Sequence, residues 1–160
     1  MRDWRTELDD PTRRRMLEEA LIQVLTPDVL APLPPPLQLA ATPDAMSCWI
    51  NDRAAESEVS VIRDGATQDI IGLLILVSLT DPVPSVHLGY LLAQSTWGKG
   101  YATEVLSGLV AQASSLAPIT LIGGVACDNP ASARVLIKAG FTRDADQSTS
   151  DTDMFALRLI

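Results

Sequence analysis

The sequence predicts an α/β domain, and three stretches predict it. Residues 88–92 read as a strand that enters a loop at 94–100 carrying Gly98 and Gly100. In the helix that follows, Ala102, Val105, Leu106, Leu109, Val110 and Ala113 recur at i, i+3, i+4, i+7, i+8 and i+11, which is one face of an amphipathic helix. Ile70–Leu79 is a near-continuous apolar run, the pattern of a central strand covered on both faces. Ile119–Ala126 is a further strand, rich in β-branched residues, and Asp128-Asn129-Pro130 opens a helix directly after it.

Taken in order, Asp10 caps a helix with Pro11 at its first position. Met16, Leu17, Ala20, Leu21, Val24 and Leu25 form its apolar stripe, and Thr26-Pro27 stops it. Arg13, Arg14 and Arg15 are a dense basic cluster, either a solvated helix face or a surface for an acidic partner. The proline-rich stretch 31–36 is expected to be extended, because proline fixes φ and removes donors. Residues 37–41 are expected as a short edge strand. Thr42-Pro43-Asp44 repeats the cap-then-proline signal before a helix bearing Met46, Trp49, Ile50 and Arg53. Residues 56–63 alternate and read as a strand ending at Asp64-Gly65, so this strand and Ile70–Leu79 are expected as an antiparallel hairpin. Residues 80–84 read as a loop. On the strand around 88–92, Val86, Leu88, Tyr90 and Leu92 point to one face and His87, Gly89 and Leu91 to the other. Gly140 sits where a glycine ends a helix, and 141–143 and 154–160 read as final strands around a polar loop.

A chain of 160 residues is long enough for one domain with a proper core, so 1–160 is read as a single domain. A net charge of −8 argues against a nucleic-acid partner. It also means that any bound phosphate must be held by local N–H groups and a few cations against an unfavourable field. Plain solvation is the first explanation of that charge, and a cationic partner would also suit it. Cys48 and Cys127 have no metal-binding spacing and are expected to be buried, reduced thiols. The charged N-terminus does not resemble a signal peptide, and the longest apolar run is too short to cross a bilayer. A cytoplasmic protein with no membrane partner and no metal is therefore expected.

The loop at 94–100 carries the chemistry. Gly98 and Gly100 allow sharp turns and close approach of a ligand, and the N–H groups of the first helical turn point back into the loop. This is an anion seat, most often used for phosphate. Trp97-Gly98-Lys99-Gly100-Tyr101 does not fit a Walker A loop. A dinucleotide fingerprint fails too, because Thr103 stands where its third glycine belongs. An acyl-coenzyme A pyrophosphate seat and a plain glycine turn remain.

Three segments occur in sequence: Leu88-Gly-Tyr-Leu-Leu-Ala, Trp97-Gly-Lys-Gly-Tyr-Ala-Thr-Glu and Asn129-Pro-Ala-Ser-Ala-Arg-Val-Leu-Ile-Lys-Ala-Gly-Phe. Together they resemble the GNAT superfamily of N-acetyltransferases, most closely the branch containing the ribosomal-protein alanine N-acetyltransferases. The match is strong over 86–141 and weaker over 49–79. The resemblance implies a mixed central sheet of about six to seven strands, splayed at the cofactor site and flanked by about four helices. It implies acetyl-CoA as co-substrate and a primary amine as acceptor, either a small molecule or a protein N-terminus. Backbone groups of Tyr90, Leu91 and Leu92 would pair with the pantetheine amides. The N–H groups of Gly98, Lys99, Gly100, Tyr101 and Ala102 would hold the pyrophosphate, with Trp97 beside them and the Lys99 ammonium as a nearby cation. Asn129 would contact the pantetheine arm, or serve only as an N-cap. Ser132 would offer its hydroxyl.

His87 lies on the strand expected beside the thioester, where many relatives carry glutamate. It is the candidate base that deprotonates the amine, or else a strand histidine with no catalytic part. Glu58 is the second candidate base. Many GNAT enzymes place a tyrosine seven residues after the asparagine as general acid; here that residue is Leu136. The thiolate is then left to water or to Tyr101. A non-catalytic acyl-CoA sensor or scaffold is the other reading that the residues leave open.

Overall fold

The computed structural model describes residues 1–80 and 84–160. Its strands are β1 (Arg2–Asp3), β2 (Glu58–Arg63), β3 (Ile70–Leu79), β4 (Ser85–Leu92), β5 (Ile119–Ala126), β6 (Thr142–Asp144) and β7 (Thr152–Leu159). They form a mixed sheet of seven strands in the order β1-β2-β3-β4-β5-β7-β6. The helices are α1 (Arg5–Leu8), α2 (Pro11–Val24), α3 (Pro27–Leu30), α4 (Ala45–Glu56), α5 (Tyr101–Ala113) and α6 (Pro130–Lys138). Four of them exceed two turns, matching the number expected; α1 and α3 are single turns. No described helix is long and apolar enough to cross a membrane.

The chain divides into two compact units, Met1–Ile75 with Tyr90–Trp97, and Leu76–Gly89 with Gly98–Ile160. In the first, Leu17, Leu21 and Val24 of α2 and Trp49 and Ile50 of α4 are buried with Trp4, Val59, Val61, Leu73 and Leu91 in one apolar cluster. Spacings of three and four put Leu17, Leu21 and Val24 of α2 on that cluster, whereas Met16, expected in the stripe, is exposed; the Asp10 carboxylate caps the helix start by accepting from the Arg13 N–H at 2.9 Å. Trp4 and Trp49 meet edge to face at 6.5 Å. The Arg14 guanidinium donates to Asn51 Oδ1 at 2.8 Å and to Ser47 Oγ at 3.2 Å, so it links α2 to α4. Six residues separate β2 from β3, with the Asp64 N–H donating to the Asp69 carbonyl at 2.9 Å. Adjacent strands joined so closely must be antiparallel, which is the expected hairpin.

In the second unit β4 and β5 are parallel, pairing from Ser85↔Thr120 to Leu88↔Gly123. The register covers four residues of each strand, although each is eight residues long. β5 goes on pairing antiparallel with β7 as far as Ala126↔Thr152. Leu106, Leu109, Leu121, Val125, Leu136, Phe141 and Phe155 are buried here. α6 ends as expected: Gly140 has φ +94°, its N–H donates to the Ile137 carbonyl, and the Phe141 N–H donates to the Leu136 carbonyl.

Several expectations are corrected. Residues 37–41 form no strand. The Trp49 indole N–H takes the Leu37 carbonyl at 3.1 Å, and buried Arg53 donates to the Pro36 carbonyl, so side chains of α4 occupy acceptors that a strand would need. The 31–36 run is not extended throughout. It bends where the Leu33 N–H meets the Leu30 carbonyl and becomes a 3₁₀ turn at Pro35–Leu37, with the Gln38 amide clamping the Leu30 and Leu33 carbonyls. α4 begins at Ala45 rather than beside Pro43, and Glu56 belongs to α4 rather than to β2. β7 begins two residues earlier than expected, at Thr152. Both cysteines are exposed, not buried. Cys48 lies on the solvent side of α4, where the Asp44 carboxylate raises its thiol pKa above the ordinary value and disfavours the thiolate. Of the loop expected at 80–84, residues 81–83 lie outside the described residues.

Candidate functional site

The end of β4 belongs to the first unit. Leu91 and Leu92 are buried and Tyr90 is half-buried. The Ala93 N–H still bonds the Ile71 carbonyl of β3, at 2.8 Å. The chain then makes a 3₁₀ turn at Gln94–Thr96. Buried Thr96 fixes it by donating both its N–H and its hydroxyl to the Ala93 carbonyl, at 2.9 and 2.7 Å. The Trp97 indole N–H donates to the Leu92 carbonyl at 2.9 Å, while 49 % of the residue stays exposed. The Gln94 amide donates to Asp28 Oδ2 at 2.9 Å and so ties this turn to α3. Glu58 is also in the first unit, exposed as the first residue of β2.

The rest of the candidate set belongs to the second unit. Gly98 and Gly100 have φ of +73° and +90°, the left-handed region that only glycine occupies readily. A Cβ built on either would meet no atom within 4 Å, so the space beside both is open. Gly100 is the N-cap of α5, and the first intrahelical bond is from the Glu104 N–H to the Gly100 carbonyl at 3.0 Å. No side-chain hydrogen bond caps α5, and the positive end of its helix dipole lies at this loop, where an anion would be favoured. Lys99 is exposed beside them.

Asn129 caps α6: its side-chain oxygen accepts from the Ser132 N–H at 3.1 Å, and Pro130 follows at the first helical position. The capping role named for Asn129 is therefore observed. Ser132 is half-buried on the first turn of the same helix.

His87 is half-buried in the register position opposite Ile122. Its neighbour Leu88 sits opposite Gly123, and a Cβ on Gly123 would lie 3.2 Å from Leu136 Cδ1 and 3.7 Å from Leu88 Cδ1. That face is thus packed under α6. Alternation along the strand puts His87 on the other face, away from α6. Leu136, the residue seven after Asn129, is 1 % exposed and fills the space that Gly123 leaves. Its role is packing, and it has no proton to give.

Sequence reasoning missed Gly72. It lies inside β3, and a Cβ there would fall 2.3 Å from the Leu91 carbonyl oxygen. The signal was present: a lone glycine within an apolar strand marks a close backbone approach.

The family model described as an acetyltransferase (GNAT) domain matches residues 5–142. The chain is 33 % identical over 79 residues to an uncharacterized N-acetyltransferase, YoaA, of Bacillus subtilis; the match covers 49 % of this chain and 45 % of that protein, so it spans under half the relative's length. Among solved structures, a GNAT-family acetyltransferase from Bacillus anthracis superposes with a TM-score of 0.71 at 16 % identity, covering 88 % of each chain. RimL, a ribosomal alpha-N-protein acetyltransferase solved in complex with coenzyme A, gives a TM-score of 0.72 at 16 % identity, covering 94 % of this chain and 90 % of its own. These two likenesses are likenesses of fold.

Proposed function

Given that this chain belongs to the GNAT acetyltransferase family, we propose that residues 1–160 form one acetyltransferase domain that moves an acetyl group from acetyl-CoA to a primary amine by direct attack. The observation that carries the reading is the order strand, left-handed glycines, uncapped helix: β4, then Gly98 and Gly100, then the start of α5. A RimL of the same fold, solved with coenzyme A, supports the choice of ligand.

In this reading the pyrophosphate rests on the amides of Gly98, Lys99, Gly100, Tyr101 and Ala102, where open space stands beside both glycines. In a protein of charge −8 those local dipoles and the Lys99 ammonium have to hold the phosphates against the overall field. The pantetheine arm pairs with the main chain at Tyr90, Leu91 and Leu92, as a further strand would. Asn129 uses its oxygen in the cap, so its amide N–H₂ is the part that can reach a pantetheine carbonyl.

The amine nitrogen attacks the thioester carbonyl. The carbonyl becomes a tetrahedral oxyanion, stabilised by an N–H near Tyr90, Leu91 and Leu92. Collapse expels the coenzyme thiolate and leaves an amide. An activated thioester needs mainly orientation and a neutral amine. His87, on the face of β4 away from α6, is the base that takes the ammonium proton, with Glu58 as the second candidate. Leu136 cannot protonate the thiolate, which leaves that step to water or to Tyr101. The acceptor class stays a primary amine, on a small molecule or at a protein N-terminus.

Gly100→Val tests the seat. A branched side chain at φ +90° strains the loop and fills the open surface where phosphate would lie. Calorimetry should show coenzyme A affinity reduced at least tenfold, about 1.4 kcal/mol, in a variant whose circular dichroism is native. Unchanged affinity would remove the pyrophosphate from this loop.

A further inference from the structure

The end of β4 is held from two sides. A Cβ on Gly72 would stand 2.3 Å from the Leu91 carbonyl oxygen, 2.7 Å from Leu92 Cδ2 and 3.2 Å from Leu92 Cα. Two of those three atoms are main chain, which no rotamer change can move aside. Glycine at 72 is therefore the condition for β4 to lie this close over β3. On the other side, the Trp97 indole N–H occupies the Leu92 carbonyl at 2.9 Å. Trp97 is 49 % exposed, so its ring is only partly packed and this hydrogen bond fixes its indole N–H. Between the two, the Ala93 N–H closes on the Ile71 carbonyl and Thr96 closes on the Ala93 carbonyl. The result is a short length of chain whose carbonyls are pinned one after another before it passes into Gly98.

We propose that Gly72 and Trp97 are positioning residues, which together fix the main chain of Tyr90, Leu91 and Leu92 in the shape that receives the pantetheine arm and the thioester. The identity of the ligand rests on the acetyl-CoA reading above; the pinning itself does not. A strand end that pairs with a ligand must keep its N–H and C=O directions before the ligand arrives, because a floppy edge would lose the binding energy to ordering. Gly72 supplies the close seat and Trp97 the latch. Trp97→Phe keeps a ring and removes the donor. Gly72→Ala adds the one atom the main chain has no room for.

The test compares wild type, Trp97→Phe, Gly72→Ala and a control, Ile62→Val, whose site is a buried position on β2. Hydrogen exchange without coenzyme should speed up at Ala93, Thr96 and Trp97 in Trp97→Phe and stay at the wild-type rate in Ile62→Val. Calorimetry with coenzyme A should then show Kd raised roughly twofold to tenfold in Trp97→Phe, the worth of one hydrogen bond. Gly72→Ala should raise Kd further and also lower kcat at saturating acetyl-CoA, because the strand end itself has shifted. If Gly72→Ala does not fold, Trp97→Phe decides. Wild-type exchange and wild-type Kd in Trp97→Phe would overturn the proposal, as would an equal loss of affinity in Ile62→Val, which would mean general destabilisation. A wild-type protein that binds no coenzyme A fails the acetyl-CoA reading instead, and the exchange rates still decide whether the two residues hold the end of β4.

Discussion

His87 is the single histidine of the chain, half-buried on β4 with its neighbour Leu88 turned to the packed face under α6. If its imidazole takes the proton from the acceptor ammonium, His87→Ala should lower kcat/KM by about 10²–10⁴-fold at neutral pH. Coenzyme A affinity should stay near wild type. His87→Glu should restore part of the rate, since a carboxylate can serve the same task. Steady-state kinetics and calorimetry read all of this. Full activity in His87→Ala would leave the proton to Glu58 or to water. At this scale the sequence was legible where side-chain chemistry is local: Gly98 and Gly100 take the positive φ that a turning loop demands. It was less legible where a residue's role is set by something distant in the chain. Gly72 matters because Leu91, nineteen positions on, lies against it, and the exposure of Cys127 depends on where β5 ends.

At the scale of elements, α6 joins two roles at one residue. Asn129 caps the helix, and the proposed function asks its amide to meet the coenzyme. Three substitutions separate the roles. Asn129→Asp and Asn129→Ser keep a capping oxygen and should hold stability close to wild type. Asn129→Ala should cost about 0.5–2 kcal/mol in urea unfolding. If the amide contributes to binding, Asp, Ser and Ala should all weaken coenzyme A affinity; if Asn129 is only a cap, Asp and Ser should bind as wild type does. The elements that sequence placed well are those with periodic or punctuated signals: the stripe of α5, the bounds of β3 and the glycine exit of α6. β3 is not covered along its whole length, since Val77 and Leu79 are exposed. The largest misplacements lie in 31–45. There a turn and a 3₁₀ segment are held by Gln38, Trp49 and Arg53 reaching their carbonyls from elsewhere. Proline told where donors are missing, but not which side chains would supply them.

For the whole molecule, the strongest sequence signals and the candidate site coincide, because the proposed coenzyme seat leans on backbone geometry that glycine, proline and capping residues advertise. The acceptor side does not share that property. Residues 4–63 build an apolar core from α2, α4 and β2, and such a core reports packing rather than the identity of an acceptor. Acetyl transfer to an amine is tested most directly by coenzyme release. The protein is given acetyl-CoA with a panel of primary amines and peptides bearing free N-termini, free thiol is followed with time, and the acetylated acceptor is identified by mass spectrometry. Release should depend on at least one amine, match acetyl-amide formed mole for mole, and fall with Gly100→Val. Tight coenzyme binding with no amine-dependent release across the panel would contradict acetyl transfer and make this chain an acyl-CoA-binding module instead.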